Sequence, residues 1–506
     1  MAFELRPHQG LALDLLRRSI ASGKRRPMLC LPTGSGKTVI AAKIVSGALA
    51  KRNRIAFIVP ALSLIDQTFA RFVENEIDPA DLGVVQGDHE WRRPHAPVQI
   101  CSAQTLARRG MPDANVIVVD EAHIRDAKLH AWLCGAEAQS TIAIGLSATP
   151  WAKGLGRVYD DLISPITMRE LIDQGYLSKF KVFAPSHPDL DGVKIDAKSG
   201  DYQTGELSER MSNTTLVADV VSTWLERAEN RPTLCFGVDR AHAACLAEQF
   251  EKSGVPTAYV DAFTSREERA AILARLRAGD VKVICNIGTM TTGVDEDIRC
   301  LILARPTKSE ILFTQIIGRA LRPAPGKDHA LILDHSDTHL RLGMVTELGR
   351  DELDTGKPGA GEAKRKAPSM PLPRECAACG CLVPPRTKEC PHCGAVVKPT
   401  SKVEQLEGEL VELGTGGRPK KPEGAKASAR DRLLGLGKRR LFAQIEQVRI
   451  GRGRAPGWGA HLFRDVTGVW PRGMDGVQPE EPCLELLSFI RHKDLAWAKS
   501  KRRTAA

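Results

Sequence analysis

The stretch Leu31-Pro32-Thr33-Gly34-Ser35-Gly36-Lys37-Thr38 decides the fold of the chain that carries it. It follows an apolar run that starts at Met28 and opens a helical pattern that continues to Lys51. In such a loop, glycines let backbone N–H groups wrap phosphates at the positive end of a helix dipole. Lys37 would neutralise the β- and γ-phosphates, and the Thr38 hydroxyl would ligate Mg²⁺. The sequence therefore predicts a phosphate-binding loop. Since Leu31 stands where the full pattern has glycine, a chance glycine-rich turn is the alternative.

Short apolar runs alternate with amphipathic stretches on both sides of this loop. Runs rich in Val, Ile and Leu are typical of parallel strands that helices cover on both faces. The candidate strands are 28–31, 54–59, 98–101, 116–119 and 141–146, then 234–238, 257–260, 281–285, 300–303 and 330–333. The candidate helices are 38–51, 62–74, 240–253, 265–278 and 309–321. This alternation predicts an α/β fold with two doubly wound parallel-sheet domains.

Composition divides the chain into further segments. Residues 185–205 are rich in Asp, Gly, Lys and Ser, 351–373 in Gly, Pro, Lys and Glu, and both stretches predict irregular connections. The predicted division is a first α/β domain at 1–155, a connection at 156–214, a second α/β domain at 215–345, a linker at 346–373, a cysteine module at 374–397, a linker at 398–429 and a small basic domain at 430–506.

Composition also limits the class of protein. Of 506 residues, 42% are hydrophobic and 26% are charged, as in ordinary globular proteins. No apolar run approaches the roughly 18 residues that a membrane span requires. The 13 cysteines are too dilute for a secreted disulfide scaffold, and five of them lie within residues 376–393. We therefore expect no membrane association and a location in the reducing cytoplasm.

The charge of the chain indicates its partner. The net charge is +11, and residues 401–506 hold 21 basic and 13 acidic residues, so this tail carries +8 of it. A basic tail on a nearly balanced body favours a polyanion such as nucleic acid. A solvated tail that serves solubility is the alternative.

Two adjacent carboxylates follow the apolar run 116–119. A strand that ends in Asp120 and Glu121 would place one carboxylate on the metal ion and leave the other near an attacking water molecule. A surface acidic turn is the alternative, and the upstream phosphate-binding loop weakens it. Asp120 is therefore predicted to ligate Mg²⁺ together with Thr38.

These motifs resemble those of a known family. Asp120-Glu121-Ala122-His123 and Ser147-Ala148-Thr149-Pro150 resemble motifs II and III of superfamily 2 DEAD/DEAH-box helicases. The resemblance covers residues 1 to about 340 and implies two tandem RecA-like domains that bind ATP between them. Within the superfamily, the chain is most similar to RadD-like repair helicases and their phage relatives.

The resemblance assigns expected roles in the first domain. Arg6-Pro7-His8-Gln9 resembles the adenine-reading element, with Gln9 as the base contact. Val59-Pro60 with Leu64 and Gln67 resembles motif Ia, and Ser102-Ala103-Gln104-Thr105-Leu106 resembles motif Ib. The expected cofactor-binding residues are Arg6, Gln9, Thr33, Gly34, Ser35, Gly36, Lys37 and Thr38. Those expected to contact the nucleic-acid backbone are Pro60, Ser102, Gln104 and Thr105.

The second domain carries the remaining motifs. Thr292-Gly293-Val294-Asp295 resembles motif V, with Thr292 toward nucleic acid and Gly293 and Asp295 toward the nucleotide. Residues 315–322 resemble motif VI, and Arg319 and Arg322 are the candidate arginine fingers. The expected catalytic set is Lys37, Asp120, Glu121, Arg319 and Arg322. The residues expected to couple the two domains are His123, Ser147, Thr149 and Gln315.

Four cysteines have the spacing of a metal site. Cys376-x2-Cys379 and Cys390-x2-Cys393 form two pairs separated by ten residues, which suits tetrahedral Zn²⁺. Redox pairs and an iron–sulfur cluster are the alternatives. Cys381 and His392 lie within the cluster and are not predicted ligands.

Basic and aromatic residues alternate in the C-terminal segment. Such a pattern stacks bases and holds phosphates, or else the aromatics form the core of a small domain, which is the preferred interpretation. The basic residues are Arg449, Arg452, Arg454, Lys499, Lys501, Arg502 and Arg503, and the aromatic residues are Trp458, Phe463, Trp470 and Trp497.

The sequence thus predicts an ATP-dependent nucleic-acid helicase or translocase with ATP, Mg²⁺ and Zn²⁺ as cofactors. DNA is the preferred substrate because of the RadD-like resemblance, which also suggests replication or repair proteins as partners. The alternatives are a duplex-DNA translocase that does not separate strands, an RNA helicase, and an ATP-gated clamp with little turnover.

Overall fold

The computed structural model describes residues 4–87, 89–196, 199–291, 296–356, 372–397, 433–474, 476–483, 486, 487, 489 and 490. The chain divides into two compact units, Met1–Thr400 and Ser401–Ala506. The first unit contains a sheet of seven strands, a sheet of six strands and a hairpin of two short strands. The predicted pair of parallel-sheet α/β domains is therefore confirmed.

The first domain is a parallel sheet with the strand order β3-β4-β2-β5-β6-β1-β7. Its elements are α1 (Pro7–Ala21), β1 (Pro27–Cys30), α2 (Lys37–Leu49), β2 (Ile55–Val59), α3 (Ile65–Glu74), β3 (Leu82–Val84), β4 (Val98–Ser102), α4 (Ala103–Arg109), β5 (Val116–Val119), α5 (Ala127–Cys134), β6 (Ile142–Ser147) and β7 (Asp161–Ile163). Every residue of β2 and β5 is buried, because helices cover both faces of the sheet.

The second domain is a parallel sheet with the order β10-β11-β9-β12-β13-β8. Its elements are α6 (Met168–Asp173), β8 (Lys179–Phe183), α7 (Thr204–Met211), α8 (Thr214–Arg227), β9 (Thr233–Phe236), α9 (Arg240–Lys252), β10 (Thr257–Val260), α10 (Arg266–Ala278), β11 (Val283–Asn286), β12 (Cys300–Leu303), α11 (Glu310–Ala320), β13 (His329–Asp334) and α12 (Thr338–Leu342). Each strand predicted from an apolar run in this domain is present, with ends displaced by at most two residues.

The segment between the two predicted domains contributes to both sheets. Strand β7 adds an edge to the first sheet, and β8 adds an edge to the second. Neither strand was predicted, because β7 has only three residues and β8 begins with two lysines around one phenylalanine. The chain therefore passes from the first domain to the second between the end of β7 and the start of α6, and it enters the second sheet at Lys179.

A buried polar cluster follows β13. The Asp334 carboxylate accepts hydrogen bonds from the backbone N–H of His339 at 2.7 Å, from the Ser336 hydroxyl at 2.5 Å and from the backbone N–H groups of Ser336 and Thr338. The His339 ring lies 2.8 Å from it, and all of these residues are fully buried. Burial alone would raise the pKa of Asp334, but these hydrogen bonds outweigh burial and lower it to about 2. Asp334 therefore fixes the turn that leaves the second sheet.

The cysteine module packs on the edge of the second sheet. Strands β14 (Arg374–Glu375) and β15 (Leu382–Val383) pair antiparallel, and Phe183 of β8 forms a backbone bridge with Cys381. The Phe183 ring lies between the Arg227 guanidinium, 4.4 Å from its centroid, and the His392 ring, 5.2 Å away. The module is therefore an extension of the second domain.

The described residues of the C-terminal unit include helices α13 (Lys438–Gly451) and α14 (Pro456–Thr467). Phe463 is fully buried, Trp458 packs against the same apolar cluster, and this supports the core interpretation for these two aromatics. Trp470 is instead 46% exposed, with the Arg464 guanidinium 4.3 Å from its ring. Trp497 and the basic residues from 499 to 503 lie outside the described residues, as does the whole predicted linker at 398–429.

Within the described ranges, no helix is long and apolar enough to cross a membrane.

Replacing Asp334 tests the buried cluster. Asp334→Ala removes the carboxylate that accepts several hydrogen bonds. Its donors would stay buried without an acceptor, which lowers the stability of the folded state. We expect the free energy of unfolding of the second domain to fall by about 3–5 kcal/mol. Urea unfolding, followed through the fluorescence of buried Trp224, measures this change. The exposed Asp328→Ala, just before β13, should stay within about 0.5 kcal/mol of the parent. Equal effects of the two substitutions would contradict this account.

Candidate functional site

The loop after β1 has the backbone of a phosphate-binding loop. Gly34 and Gly36 have φ angles of 84° and 80°, a left-handed conformation that favours glycine. A side chain at either position would also collide, because a Cβ on Gly36 would lie 2.2 Å from Gln9 Nε2 and one on Gly34 would lie 2.4 Å from Leu177 Cδ2. Helix α2 starts at Lys37, so its N-terminal N–H groups face the concave side of the loop.

The N-terminus of α1 holds this loop in place. The backbone carbonyl of Ser35 lies 2.9 Å from His8 Nε2 and accepts a hydrogen bond from Gln9 Nε2 at 3.0 Å. The Arg6 guanidinium donates to the carbonyl of Gly34 at 3.4 Å. The predicted adenine-reading element therefore lies directly beside the predicted phosphate-binding loop.

Asp120 and Glu121 lie beside Lys37. The Lys37 ammonium is 2.9 Å from Asp120 Oδ1 and forms a short ion pair with Glu121 Oε1. Glu121 has a φ of 47°, an uncommon value for a residue with a side chain, and this turn aims its carboxylate back toward the loop. Burial alone would lower the pKa of Lys37, but the two carboxylates outweigh it and raise that pKa. The three charges form one cluster at the carboxyl edge of the first sheet.

A chain of polar contacts leads from Glu121 to the second domain. His123 Nδ1 is 3.3 Å from Glu121 Oε2 and 2.9 Å from Ser147 Oγ, and Ser147 Oγ accepts the backbone N–H of Thr149. On the other side of the ring, His123 Nε2 is 3.2 Å from the Gln315 amide. The four residues expected to couple the domains are therefore brought together. Burial lowers the pKa of His123 below its usual value, and the nearby charge of Glu121 only partly offsets this.

Helix α11 brings the second domain onto the loop. A Cβ on Gly318 would lie only 2.8 Å from Thr33 Oγ1, so the helix backbone touches the phosphate-binding loop. Burial would raise the pKa of Glu121, but the charge of Lys37, followed by those of His123 and Arg319, outweighs burial and lowers it. Arg319 therefore acts electrostatically on a carboxylate of the other domain.

Arg322 lies just beyond the end of α11. Its backbone carbonyl accepts hydrogen bonds from the Ser178 hydroxyl at 3.1 Å and from Lys327 Nζ at 2.7 Å. Burial of Lys327, together with the positive charges of Arg299 and Arg322, lowers the Lys327 pKa to about 8. Of the two candidate arginine fingers, Arg319 is the one whose charge reaches Glu121.

Sequence reasoning missed Tyr176 and Leu177. The Tyr176 ring lies 4.6 Å from the Arg6 guanidinium and 5.1 Å from the His8 ring, beside the adenine-reading element. The Leu177 side chain contacts Gly34 of the loop so closely that a Cβ on this glycine would collide with it. Both residues precede β8 and so link the nucleotide side of the first domain to the second. No local pattern identifies them, since the contacts join residues more than 140 positions apart.

The residues expected to contact nucleic acid follow β2 and β4. Pro60 and Gln104 are partly or fully exposed at the carboxyl edge of the sheet. Ser102 is fully buried and accepts the backbone N–H of Thr105 as the cap of α4, which gives both residues a structural role. Thr292, Gly293 and Asp295 lie outside the described residues.

The four cysteines converge on one point. The Sγ atoms of Cys376, Cys379, Cys390 and Cys393 all lie within 4.8 Å of one another, and the closest pairs are 3.6 and 3.7 Å apart. Tetrahedral coordination with metal–sulfur bonds of about 2.3 Å requires separations of about 3.8 Å. Burial would raise the pKa of Cys390, but backbone N–H groups and neighbouring thiols lower it to about 7, which favours the thiolate. The site fits a metal ion.

Cys381 and His392 are not part of this set. The Cys381 thiol points to the carbonyl of Leu382 at 3.7 Å, and the His392 ring packs on Phe183. The cluster of possible metal ligands found in the described part of the chain contains the four predicted cysteines alone.

Two family models match the chain. Residues 2–152 match the family described as "Type III restriction enzyme, res subunit", and residues 215–324 match the "Helicase conserved C-terminal domain". The first match contains the phosphate-binding loop and the Asp120–Glu121 pair, and the second contains α11. The two matches therefore cover the two walls of the site.

Curated relatives match the same region. The Saccharomyces cerevisiae protein IRC3, assigned as an ATP-dependent helicase, is 30% identical over 65% of this chain and 51% of its own length. A "51.5 kDa protein" of a Lactococcus phage is 28% identical over 61% of this chain and 65% of its own length. The "DNA 3'-5' translocase XPB2" of Sulfurisphaera tokodaii is 25% identical over 63% of this chain and 79% of its own length. The match thus spans about half of the yeast protein and less than two thirds of the phage protein.

Solved structures share the fold. A fragment of an HsdR subunit of a type I restriction enzyme from Vibrio vulnificus superposes with a TM-score of 0.50 and 21% identity, over 70% of this chain and 67% of the fragment. Together, the family models and the relatives support a superfamily 2 helicase, and the site formed by both domains agrees with this.

Proposed function

We propose that the chain is an ATP-dependent DNA helicase or translocase that hydrolyses ATP between its two α/β domains. The observation that carries this proposal is the joint site, in which Gln315 of α11 contacts His123 of the first domain and the charge of Arg319 acts on Glu121. A site divided between two domains turns over fastest when the domains are closed, and nucleic acid bound across both domains would favour closure. Cycles of closing and opening would then move the protein along the strand.

The residues of the loop suit MgATP. The buried hydroxyls of Ser35 and Thr149 have no hydrogen-bond partner among the described residues, and Thr38 is exposed at the start of α2. We assign Thr33, Gly34, Ser35, Gly36 and Lys37 to the phosphates. Thr38 and Asp120 would hold Mg²⁺, and Glu121 would accept a proton from the attacking water. Arg319 would balance charge that develops on the γ-phosphate, with Arg322 as a second candidate.

The nucleotide base would be held by α1 and the interdomain segment. Gln9 already has an amide beside the loop, and Arg6 and Tyr176 present a cation and an aromatic ring next to it. We assign Gln9 and Arg6 to the adenine, as in the motif that they resemble, and add Tyr176 as an aromatic neighbour. Gly293 and Asp295 remain assigned to the nucleotide on their motif alone.

DNA is the proposed substrate. Its support is the net charge of +11 and the printed names of relatives, which include a DNA translocase. Pro60, Gln104 and Thr292 are the proposed contacts, together with Ser102 and Thr105 through the helix that they cap. A role in repair, with replication or repair proteins as partners, rests only on the motif resemblance to RadD-like helicases.

A duplex translocase is the second candidate. It is favoured by the first family model, whose description names a restriction enzyme subunit. The same ATP site would serve such a motor, and the two functions differ in whether strands separate.

Removing the arginine finger tests the joint site. Arg319→Ala should lower the turnover of ATP by about 10³- to 10⁵-fold, because this cation is proposed to stabilise the transition-state charge. ATP affinity should change little, since the first domain holds most of the nucleotide. Arg319→Lys keeps the charge without the planar fork and should recover only part of the rate. The rate of phosphate release at saturating ATP measures the effect.

The same assay identifies the nucleic acid. Hydrolysis by the wild-type chain should rise with single-stranded, forked or duplex DNA, and Lys37→Ala should abolish it. Stimulation by RNA alone would contradict the DNA assignment. Stimulation by duplex DNA without separation of a fork would favour the duplex translocase.

We also propose that the four-cysteine site holds Zn²⁺. Four thiolates at tetrahedral spacing suit this ion, and the module has too few apolar residues to fold without a metal. We propose the reducing cytoplasm as the compartment, because thirteen cysteines in 506 residues are too dilute for a secreted disulfide scaffold. Because the module packs on Phe183, metal binding should stabilise the edge of the second sheet.

Removing ligands tests the zinc assignment. The native chain should contain about one zinc per chain by elemental analysis, and Cys379→Ser/Cys390→Ser should lose it. The same double variant should unfold at a lower temperature, because the second sheet loses its covered edge. The exposed Cys245→Ser, on α9, is the matched control and should keep both the metal and the melting temperature. A native module that is folded and free of metal would contradict the assignment.

A further inference from the structure

The cleft between the two sheets has two distinguishable sides. On the nucleotide side, Leu177, at the entrance to β8, touches Gly34 after β1. On the other side, Arg266 at the start of α10 forms an ion pair of 3.1 Å with Asp66 of α3. These two helices follow β10 and β2, so the carboxyl ends of those strands meet across the cleft. Pro60 and Gln104 also follow strands on this second side.

One aromatic side chain stands out on this second side. Phe263, in the turn that follows β10, is 79% exposed, the largest value among the exposed large hydrophobic residues of the described chain. It precedes Arg266, which contacts the first domain, by three residues. A single exposed apolar ring needs no explanation by itself, so the case for a ligand depends on the fixed turn and the charged neighbours of Phe263.

The turn that carries Phe263 is rigid. The buried carboxylate of Asp261 accepts the backbone N–H groups of Phe263 at 2.9 Å and of Thr264 at 3.1 Å. Its other oxygen accepts the Tyr259 hydroxyl at 3.2 Å and Arg240 Nε at 2.9 Å. The ring is therefore presented to solvent by a fixed backbone, and little conformational entropy would be lost when a ligand binds it.

Three arginine side chains lie near the ring, and two of them, Arg240 and Arg266, are paired with carboxylates. The Arg240 guanidinium lies 4.8 Å from the centroid of Phe263, while the ring stays mostly exposed. Arg269 donates to the carbonyl of Asp261 at 3.2 Å, and Arg266 lies one turn away at the start of the same helix. An aromatic face among guanidinium groups suits a base attached to a phosphate chain. An apolar side chain of a protein partner would not require these cations.

We propose that Phe263 is a stacking platform for one base of a single strand of nucleic acid that crosses the cleft. The proposal rests on the proposed function and refines it. In a duplex both faces of a base are covered by its neighbours, so a platform of this kind selects an unpaired strand. It therefore favours the strand-separating motor over the duplex translocase.

Binding of a fluorescein-labelled oligo(dT) by the full chain tests the platform. Phe263→Ala should weaken binding by roughly 5- to 150-fold, the range measured for base–aromatic stacking. Phe263→Leu should also weaken it, because leucine is apolar but has no aromatic face, whereas Phe263→Trp should preserve it. Leu225→Ala is the matched control, since Leu225 is 54% exposed near the end of α8, toward the amino edge of β9.

Two further measurements separate stacking from other contacts. An abasic strand of the same length keeps the phosphates and lacks the bases, so the wild-type chain and Phe263→Ala should bind it equally. The dependence of affinity on salt should also be unchanged in Phe263→Ala, because no phosphate contact is lost. Two results for Phe263→Ala would overturn the platform and leave the proposed function standing. One is that it loses as much affinity for the abasic strand as for oligo(dT), and the other is that its affinity for oligo(dT) is unchanged. A wild-type chain that binds duplex DNA but no single strand would overturn the platform and favour the duplex translocase. A wild-type chain that binds neither would overturn the proposed function itself.

Discussion

The contact between helix α11 and the phosphate-binding loop is the constraint on which the rest of the structure depends. Gly318 has no side chain, so the helix backbone approaches Thr33 closely enough to bring Gln315 to His123 and the charge of Arg319 to Glu121. The first domain alone has the phosphate-binding loop and the carboxylates of Asp120 and Glu121, but it lacks the cation that the second domain supplies. Its chemistry is therefore linked to the separation of the two sheets, which is what a motor needs.

The sequence predicted what local patterns encode. The strand 116–119 and the pair Asp120–Glu121 are adjacent in the chain. The apolar run that identifies the buried strand therefore also gives the position of the two carboxylates. The phosphate-binding loop and the cysteine pairs were also found from spacing alone. Tyr176, by contrast, reaches Arg6 across about 170 positions, and nothing in its own neighbourhood marks it. Strand β8 was missed because it lies at an edge, where two lysines interrupt the apolar run.

The edge at β8 joins three features that the sequence separates. Leu177, in the segment before β8, touches the phosphate-binding loop. The strand next to β8 in the sheet, β13, ends at the buried Asp334. Phe183, the last residue of β8, pairs with the cysteine module. The module was predicted as an independent element after a linker. In the structure it covers the sheet edge, so that a metal ion there would stabilise the domain that carries Arg319, the proposed arginine finger.

The most direct test of the divided site is to push its two walls apart without touching a charged group. Gly318→Leu does not weaken α11, because leucine has a higher helix propensity than glycine. It adds a side chain where even a Cβ would lie 2.8 Å from Thr33. Gly47→Leu, on α2 with open space around it, is the control. The account predicts that Gly318→Leu binds a fluorescent ATP analogue nearly as tightly as the wild type. Its turnover with DNA should fall by roughly 10²-fold, the cost of misplacing a catalytic group by about 1 Å. A Gly318→Leu chain that hydrolyses ATP as fast as the wild type would contradict it.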